Sequence, residues 1–311
     1  MNAIGSIPKF FLFMITTALL FSAGFATAFE HPLKGQDLLL DTYHRNMPKL
    51  ERNSFGFPLF LESFERDHRV TVDVYGVFDY PFSGVVDVVK VPANWCEMLF
   101  LHPNVKACTY KELPDEWLLT FHVGRKTYQS PDKTHQIIYH YRKVDQQPGY
   151  LNIILGADAG PLGTKDHLMR FEVLPLDEGR TFAHVRYAYN ESLIFRLAEK
   201  VYFATLGRDK VGFTVTGKDK DGNPIYIRGP RGAIERNAVR YYFAIQSFMN
   251  TLSYPEKSRF RMRINDWYDL TNRYETQLYE LDKEDYLTIK SKEYENQELL
   301  QRQIDAGAST P

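Results

Sequence analysis

The chain has 311 residues, enough for one substantial domain with extensions or for two small ones. Its 38 Lys and Arg nearly balance 39 Asp and Glu, for a formal charge of -1, so no basic bias points to nucleic acid. Aromatic residues make up 14%, led by 22 Phe and 20 Tyr, and such rings suit cores, cavities and interfaces without choosing among them.

The chain opens MNAIGSIPKFFLFMITTALLFSAGFATAFE, where Lys9 is the only charge before Glu30. The apolar run 10–21 is shorter than the roughly 20 residues of a spanning helix, and small residues follow it to Ala26-Thr27-Ala28. A basic start, an apolar middle and a small-residue end form the layout of a secretory signal peptide. Residues 1–28 are therefore expected to be cleaved off after Ala28 and the body exported, to a periplasm or a comparable space. Retention as an anchor is the alternative, because Gly24 and Phe25 prolong the apolar stretch.

Residues 29–68 read as a helical segment and a connection. QDLLLDTYHRNMPKL at 36–50 spaces Leu39, Tyr43 and Met47 for one short helix, and Gly56 and Pro58 then break the period. A domain over 69–254 begins with VTVDVYGVF, whose alternating β-branched and aromatic residues predict a strand. The segments 81–89 and 92–101 read as short helices, each begun by a proline whose missing N–H costs nothing there.

NWCEMLFLHPNVKAC, at 94–108, holds the only two cysteines, with Cys96 on the second short helix, Cys108 on a strand starting at Val105, and His102 midway. In an oxidising compartment two thiols pair and persist. A disulfide is the default, and closing so short a loop contributes on the order of 3 kcal/mol. Free thiols or a Cys-His catalytic pair remain alternatives. The C-x5-H-x5-C spacing lacks the second ligand pair of a structural zinc site, so neither a metal nor another cofactor is expected.

Five further strands follow: EWLLTFHVG, HQIIYHYRKV, GYLNIILGA, HLMRFEVLPL and TFAHVRYAY. Short Gly- and Pro-containing separators favour antiparallel neighbours, hence a meander. Alternation places Trp117, Leu119, Phe121, Ile137, Tyr139, Tyr141, Leu151, Ile153, Leu155, Met169, Phe171, Val173, Ala183, Val185, Tyr187 and Tyr189 on one apolar face. His140, Arg142, Arg170, Glu172, His184 and Arg186 fall on the other, where Arg170, Glu172, His184 and Arg186 read as solvated cross-strand pairs rather than a catalytic cluster.

SLIFRLAEKVYFATLG then reads as a helix ending at Gly207, and VGFTVTG with PIYIRG as a hairpin turned at Asp221-Gly222. From Ala233 to Leu252 a long helix carries Ile234, Ala238, Tyr241, Ile245, Phe248 and Leu252 on one stripe. Tyr242, Phe243, Ala244 and Met249 widen it, so the helix is buried on more than one side. Residues 255–311 form a helical extension of two charged helices, the second expected to protrude or fray.

A strand, two short helices, an antiparallel meander and a long closing helix form an element order that resembles the START-like, or SRPBCC, helix-grip superfamily over residues 70–252. YPFSGVVDVVKVPANWCEMLFLHPNVKAC is similar to that superfamily's early helical segment. The resemblance implies an α+β fold in which a curved antiparallel sheet grips the long helix around an apolar cavity for lipids or other hydrophobic molecules. The cavity residues would be Phe121, Tyr139, Tyr141, Phe171, Tyr187, Tyr189, Tyr241 and Ile245, the buried phenols needing hydrogen-bond partners that a ligand or a plain core supplies equally well.

GRDKVGFTVTGKDKDGNPIYIRGPRGAIERNAVRYY adds Arg208, Lys210, Arg231 and Arg236 near the long helix's start, where the dipole favours an anionic head group. Pairing with Asp209 and Glu235 at the surface is the competing expectation. Walker, HExxH and GxSxG motifs are absent. The sequence thus predicts an exported binding protein for a hydrophobic ligand. The alternatives are an enzyme acting on a cavity-bound substrate, and an envelope interaction protein whose C-terminal helices dock a partner.

Overall fold

The computed structural model describes residues 34–307. The predicted signal segment and its cleavage point lie outside them. β1 (Leu59–Arg66) and β2 (Arg69–Phe78) form a hairpin in which Leu59 faces Gly76 and Arg66 faces Arg69. Its two-residue turn, Asp67-His68, takes positive φ at both positions, as the twist of a tight hairpin requires. The sequence offers no Asn-Gly or Asp-Gly there. That is why residues 59–66 read as a connection, although Leu59, Leu61 and Ser63 alternate into the core.

α2 (Phe82–Val89) and α3 (Pro92–Leu99) lead into the predicted meander of β3 (Val105–Glu112), β4 (Trp117–Val123), β5 (His135–Gln147), β6 (Tyr150–Ala159), β7 (Lys165–Pro175) and β8 (Thr181–Asn190). β8 returns beside β2, so the eight antiparallel strands are ordered β1-β2-β8-β7-β6-β5-β4-β3. The residues assigned by alternation to the apolar face join a single core, with Trp117 and Tyr187 partly buried at its margin. The Cys96–Cys108 disulfide ties α3 to β3, with the two Cα atoms 5.0 Å apart.

After α4 (Leu193–Ala204) and the hairpin of β9 (Val215–Lys218) and β10 (Pro224–Tyr226) comes α5 (Gly229–Asn250). It starts earlier than its apolar stripe because Pro230 sits in the first turn, where it satisfies helix geometry at no cost. Gly76 of β2 lets α5 approach closely, since a Cβ there would overlap the Tyr242 ring. The other flank of α5 is covered by α6 (Glu256–Asn272), where Trp267 Nε1 donates to Arg240 O at 3.0 Å and Ser247 Oγ to Arg263 O at 3.0 Å. The molecule is thus an α+β helix-grip fold, its antiparallel sheet closed on one face by the long helix.

α7 (Glu275–Leu278) leads to α8 (Lys283–Asp305), which neither protrudes nor frays. Gln297 accepts the Cys108 N–H at 2.7 Å. Gln301 both accepts from and donates to the Tyr110 backbone at 2.9 Å. These amides occupy the free edge of β3, the position where an unpaired strand invites aggregation. Glu293, wholly buried on α8, pairs with Lys106 and Lys290, each at 2.9 Å.

α1 (Gln36–Glu51) corrects the reading of the opposite face. Its Leu39 and Leu50 need an apolar surface and find Tyr75, Tyr150, Leu174 and Phe182, forming a second core over the outside of the sheet. The supposedly solvated pairs beneath it are largely buried instead. His184 lies between Asp73 (Nε2 to Oδ1, 2.7 Å) and Glu172 (Nδ1 to Oε2, 3.0 Å), and Arg186 grips both Asp73 oxygens at 2.7 and 2.9 Å.

Candidate functional site

Alternation along β4, β5, β7 and β8 aims a set of rings at α5. Phe121 meets Tyr139 at 4.9 Å between centroids, Tyr187 meets Tyr241 at 6.0 Å and Tyr189 at 5.7 Å, and the Tyr139 and Tyr187 hydroxyls hydrogen-bond to one another. Burial raises every one of these phenols, Tyr241 only to about 12 because Arg240 is beside it. At neutral pH all are uncharged hydrogen-bond donors. Of the other predicted cavity residues, Ile245 lies in the core, Phe171 packs edge-on against Trp95 at 5.6 Å, and Tyr141 donates to Lys90 O at 3.1 Å. Those last two face α2 and α3 rather than α5.

The sequence reading missed His167 and Asn237, and it weighed His102 only as a partner of the cysteines. His167 stacks on Tyr189 at 5.5 Å, and its Nε2 lies 2.9 Å from Thr164 Oγ1. The Thr164 hydroxyl donates to Pro161 O, so it accepts from the ring N–H, which leaves Nδ1 an acceptor, buried and without a partner. Burial pulls His167 down to about 4, so the ring is neutral. His102 accepts the Asn104 N–H at Nδ1 (3.1 Å) and presents Nε2 to Asn237 Oδ1 (3.2 Å), its ring 5.0 Å from that of Tyr241. Burial holds it neutral as well.

Tyr187 and Tyr241 are only partly buried, so part of each residue's surface stays accessible. α4 borders this region: Ser192 caps it by accepting the Phe195 N–H (3.0 Å), Phe195 packs edge-on to Tyr189 at 5.8 Å, and Glu199 hydrogen-bonds Glu191. None of the twelve residues of α4 is fully buried, so few contacts hold it down.

The four predicted anion-binding residues are not brought to one point. Arg208 is exposed, and Arg231 turns to β1, where its Nε donates to Ser63 Oγ at 3.1 Å. The expected partner Glu235 is wholly buried and accepts the Phe213 and Thr214 N–H groups (2.7 and 2.9 Å), so it clamps the loop before β9 instead of pairing at the surface. Lys210 and Arg236 join a different group. Glu280 pairs with Arg240 (2.7 Å), Lys126 (2.5 Å) and Lys210 (3.1 Å); burial would raise its carboxyl, but these cations hold it down to about 2. Arg236 lies beside Arg240, nearly buried, and donates to Val211 O at 3.2 Å. Burial and Arg240 pull it down to about 10. Four cations face one carboxylate here, and the buried Arg240 Nε has no partner. Asn237 connects this group to the tyrosines, its Oδ1 lying 3.4 Å from Arg240 Nη1 and 3.2 Å from His102.

Comparison with known proteins yields fold likeness only. No family model and no curated protein matches the chain. A conserved protein of unknown function from Enterococcus faecalis is 12% identical, with a TM-score of 0.34 over 68% of this chain and 91% of its own. An aromatase/cyclase from a Streptomyces species is 11% identical, with a TM-score of 0.33 over 65% of this chain and 94% of its own. Human StAR-related lipid transfer protein 5 is 11% identical, with a TM-score of 0.30 over 54% and 88%. Scores this low carry no argument about what this chain binds. Among the described residues no cluster of three or more metal-ligating side chains converges, and no helix is long and apolar enough to cross a membrane.

Proposed function

We propose that the protein holds a hydrophobic molecule with an anionic head group between the inner face of its sheet and α5. The observation that carries this reading is the accessible surface left on Tyr187 and Tyr241, which meet between the sheet and α5. An apolar body placed there is stabilised by roughly 25 cal/mol for each Å2 removed from water. The neutral phenols donate hydrogen bonds, His167 Nδ1 accepts one, and the head group lies toward Arg236 and Arg240, whose charge exceeds what Glu280 neutralises. α4, thinly held, is the element whose movement admits the ligand.

The phenols stand well above neutrality and His167 well below it, so these rings are donors and an acceptor rather than acid-base groups near neutral pH. Export to an envelope space belongs to the same reading and rests on the N-terminal layout. A partner docked on the C-terminal helices is the second reading; α6 and α8 spend their apolar sides inside the fold, which leaves such a partner Leu299 and charged surface. Native mass spectrometry of the full chain from its own host, followed by organic extraction, tests the proposal. A discrete added mass that extracts as an acidic, lipid-like molecule is expected. A bare protein under the same gentle conditions contradicts it.

A further inference from the structure

α4 presents to solvent the side that an amphipathic helix ordinarily buries. Leu193, Ile194, Leu197 and Val201 are between 59% and 76% exposed, and Leu206, just past the helix end, is 85% exposed. At about 100° per residue these four helical positions share one arc, and Ala198 and Ala204 fall on it too. Phe195, Glu199 and Tyr202 lie on the opposite side, against Tyr189, Glu191 and the Arg236–Arg240 group respectively. The helix carries three charges. Arg196, beside His68, and Lys200 border the apolar arc, while the sole acid, Glu199, is turned inward. Burial, with Glu191 alongside, raises Glu199, so the charge that α4 presents outward is positive only.

We infer that the outward face of α4 is a docking surface for an anionic phospholipid leaflet. An apolar arc bordered by basic side chains, with no acid facing outward, is the pattern of a helix that lies in the plane of a membrane interface. A second protein copy would gain from the same leucines but has no use for the one-signed rim, whereas an anionic leaflet attracts each Lys or Arg at its surface. The inference goes beyond ligand binding, because docking needs no occupant under α5.

Co-sedimentation of the full chain with phosphatidylcholine vesicles, with and without phosphatidylglycerol, tests it. The wild-type protein is expected to sediment with the anionic vesicles and less with the neutral ones. The double substitution Leu197→Glu and Val201→Glu changes only exposed positions and is expected to weaken this binding at least about tenfold. Lys200→Glu is expected to weaken it about fivefold and to reduce its salt dependence. Failure of the wild type to sediment with either vesicle overturns the inference, as does undiminished binding by the double variant. Analytical ultracentrifugation separates the remaining case: a concentration-dependent dimer that the double substitution abolishes, without vesicle binding, assigns the face to self-association and contradicts a lipid surface. A ligand found by native mass spectrometry without vesicle binding defeats this inference alone, and the reverse result defeats the ligand reading alone.

Discussion

Under α1 and under α5 the sheet buries polar side chains on its two faces, but the groups are left in different states. On the outer face His184, Asp73, Glu172, Arg186 and Tyr150 supply one another: each carboxylate has a cation, His184 uses both ring nitrogens, and Tyr150 donates to Glu172 at 2.6 Å. A recess of about 540 Å3 opens beside them, and Arg170, which also lines it, keeps a buried Nε without a partner. On the inner face His167 Nδ1 is buried without a partner and two phenols keep accessible surface, and on the far flank of α5 Arg240 Nε is unpartnered too. A buried polar group costs free energy unless it is hydrogen-bonded. The quintet around His184 is satisfied within itself and is sufficient as structure, while the unpartnered groups, Arg170 Nε included, are where a further bond is still wanted.

Asp73→Ala gives the largest expected effect. It leaves His184 and Arg186 facing each other across a buried gap and is expected to cost about 3–5 kcal/mol in urea denaturation, with ligand occupancy of the folded protein unchanged. A loss below about 1 kcal/mol would show that the outer network does not act as structure. Replacing Cys96 and Cys108 by Ser is expected to cost about 3 kcal/mol, again without altering occupancy. Tyr139→Phe sharpens the contrast from the inner side. Losing one hydroxyl costs about 1 kcal/mol or less in stability, but ligand affinity is expected to drop several-fold to tenfold.

The smallest effects are read in pH. Burial lowers His184, but Asp73 and Glu172 outweigh it and raise the folded value above the unfolded one. Its contribution is therefore complete below pH about 6.5 and is lost as pH rises through the folded value. Asp73 is held below its usual value, so its contribution is present above pH about 4 and is lost on acidification. His184→Gln should flatten the alkaline side of the stability curve. Glu199, raised to about 8, loses stability for the fold as pH climbs from about 4.5 to 8, because the unfolded chain ionises first. Glu199→Gln should remove that slope and slow amide exchange in α4 above pH 8.

Local period explains what the sequence disclosed. Alternation placed the inner-face residues, prolines and glycines marked the turns, and the 3.6-residue stripe set α5 against the sheet. Partners distant in sequence were hidden. Gln297 and Gln301 find β3 across almost 200 positions, and nothing local marks an amide as a strand-edge partner. His167 was within reach, since it lies two residues before Met169 on the same face, but a bulge between Lys165 and Leu168 obscures the alternation there. Arg240 follows Arg236 by one helical turn, a signal that could have placed both in one group. Lys126 and Glu280, their neighbours, come from loops whose meeting no spacing predicts.

A hydrophobic ligand held between the sheet and α5 lies against the Tyr187 and Tyr241 rings. NMR of the full chain with ring-labelled tyrosine, in complex with the molecule extracted from it, tests this directly. Intermolecular NOEs from the apolar body of the ligand to the Tyr187 and Tyr241 rings are expected, lost in a Tyr187→Trp variant that crowds this space while remaining folded. NOEs confined to the exposed leucines of α4, or none to either ring, would contradict it.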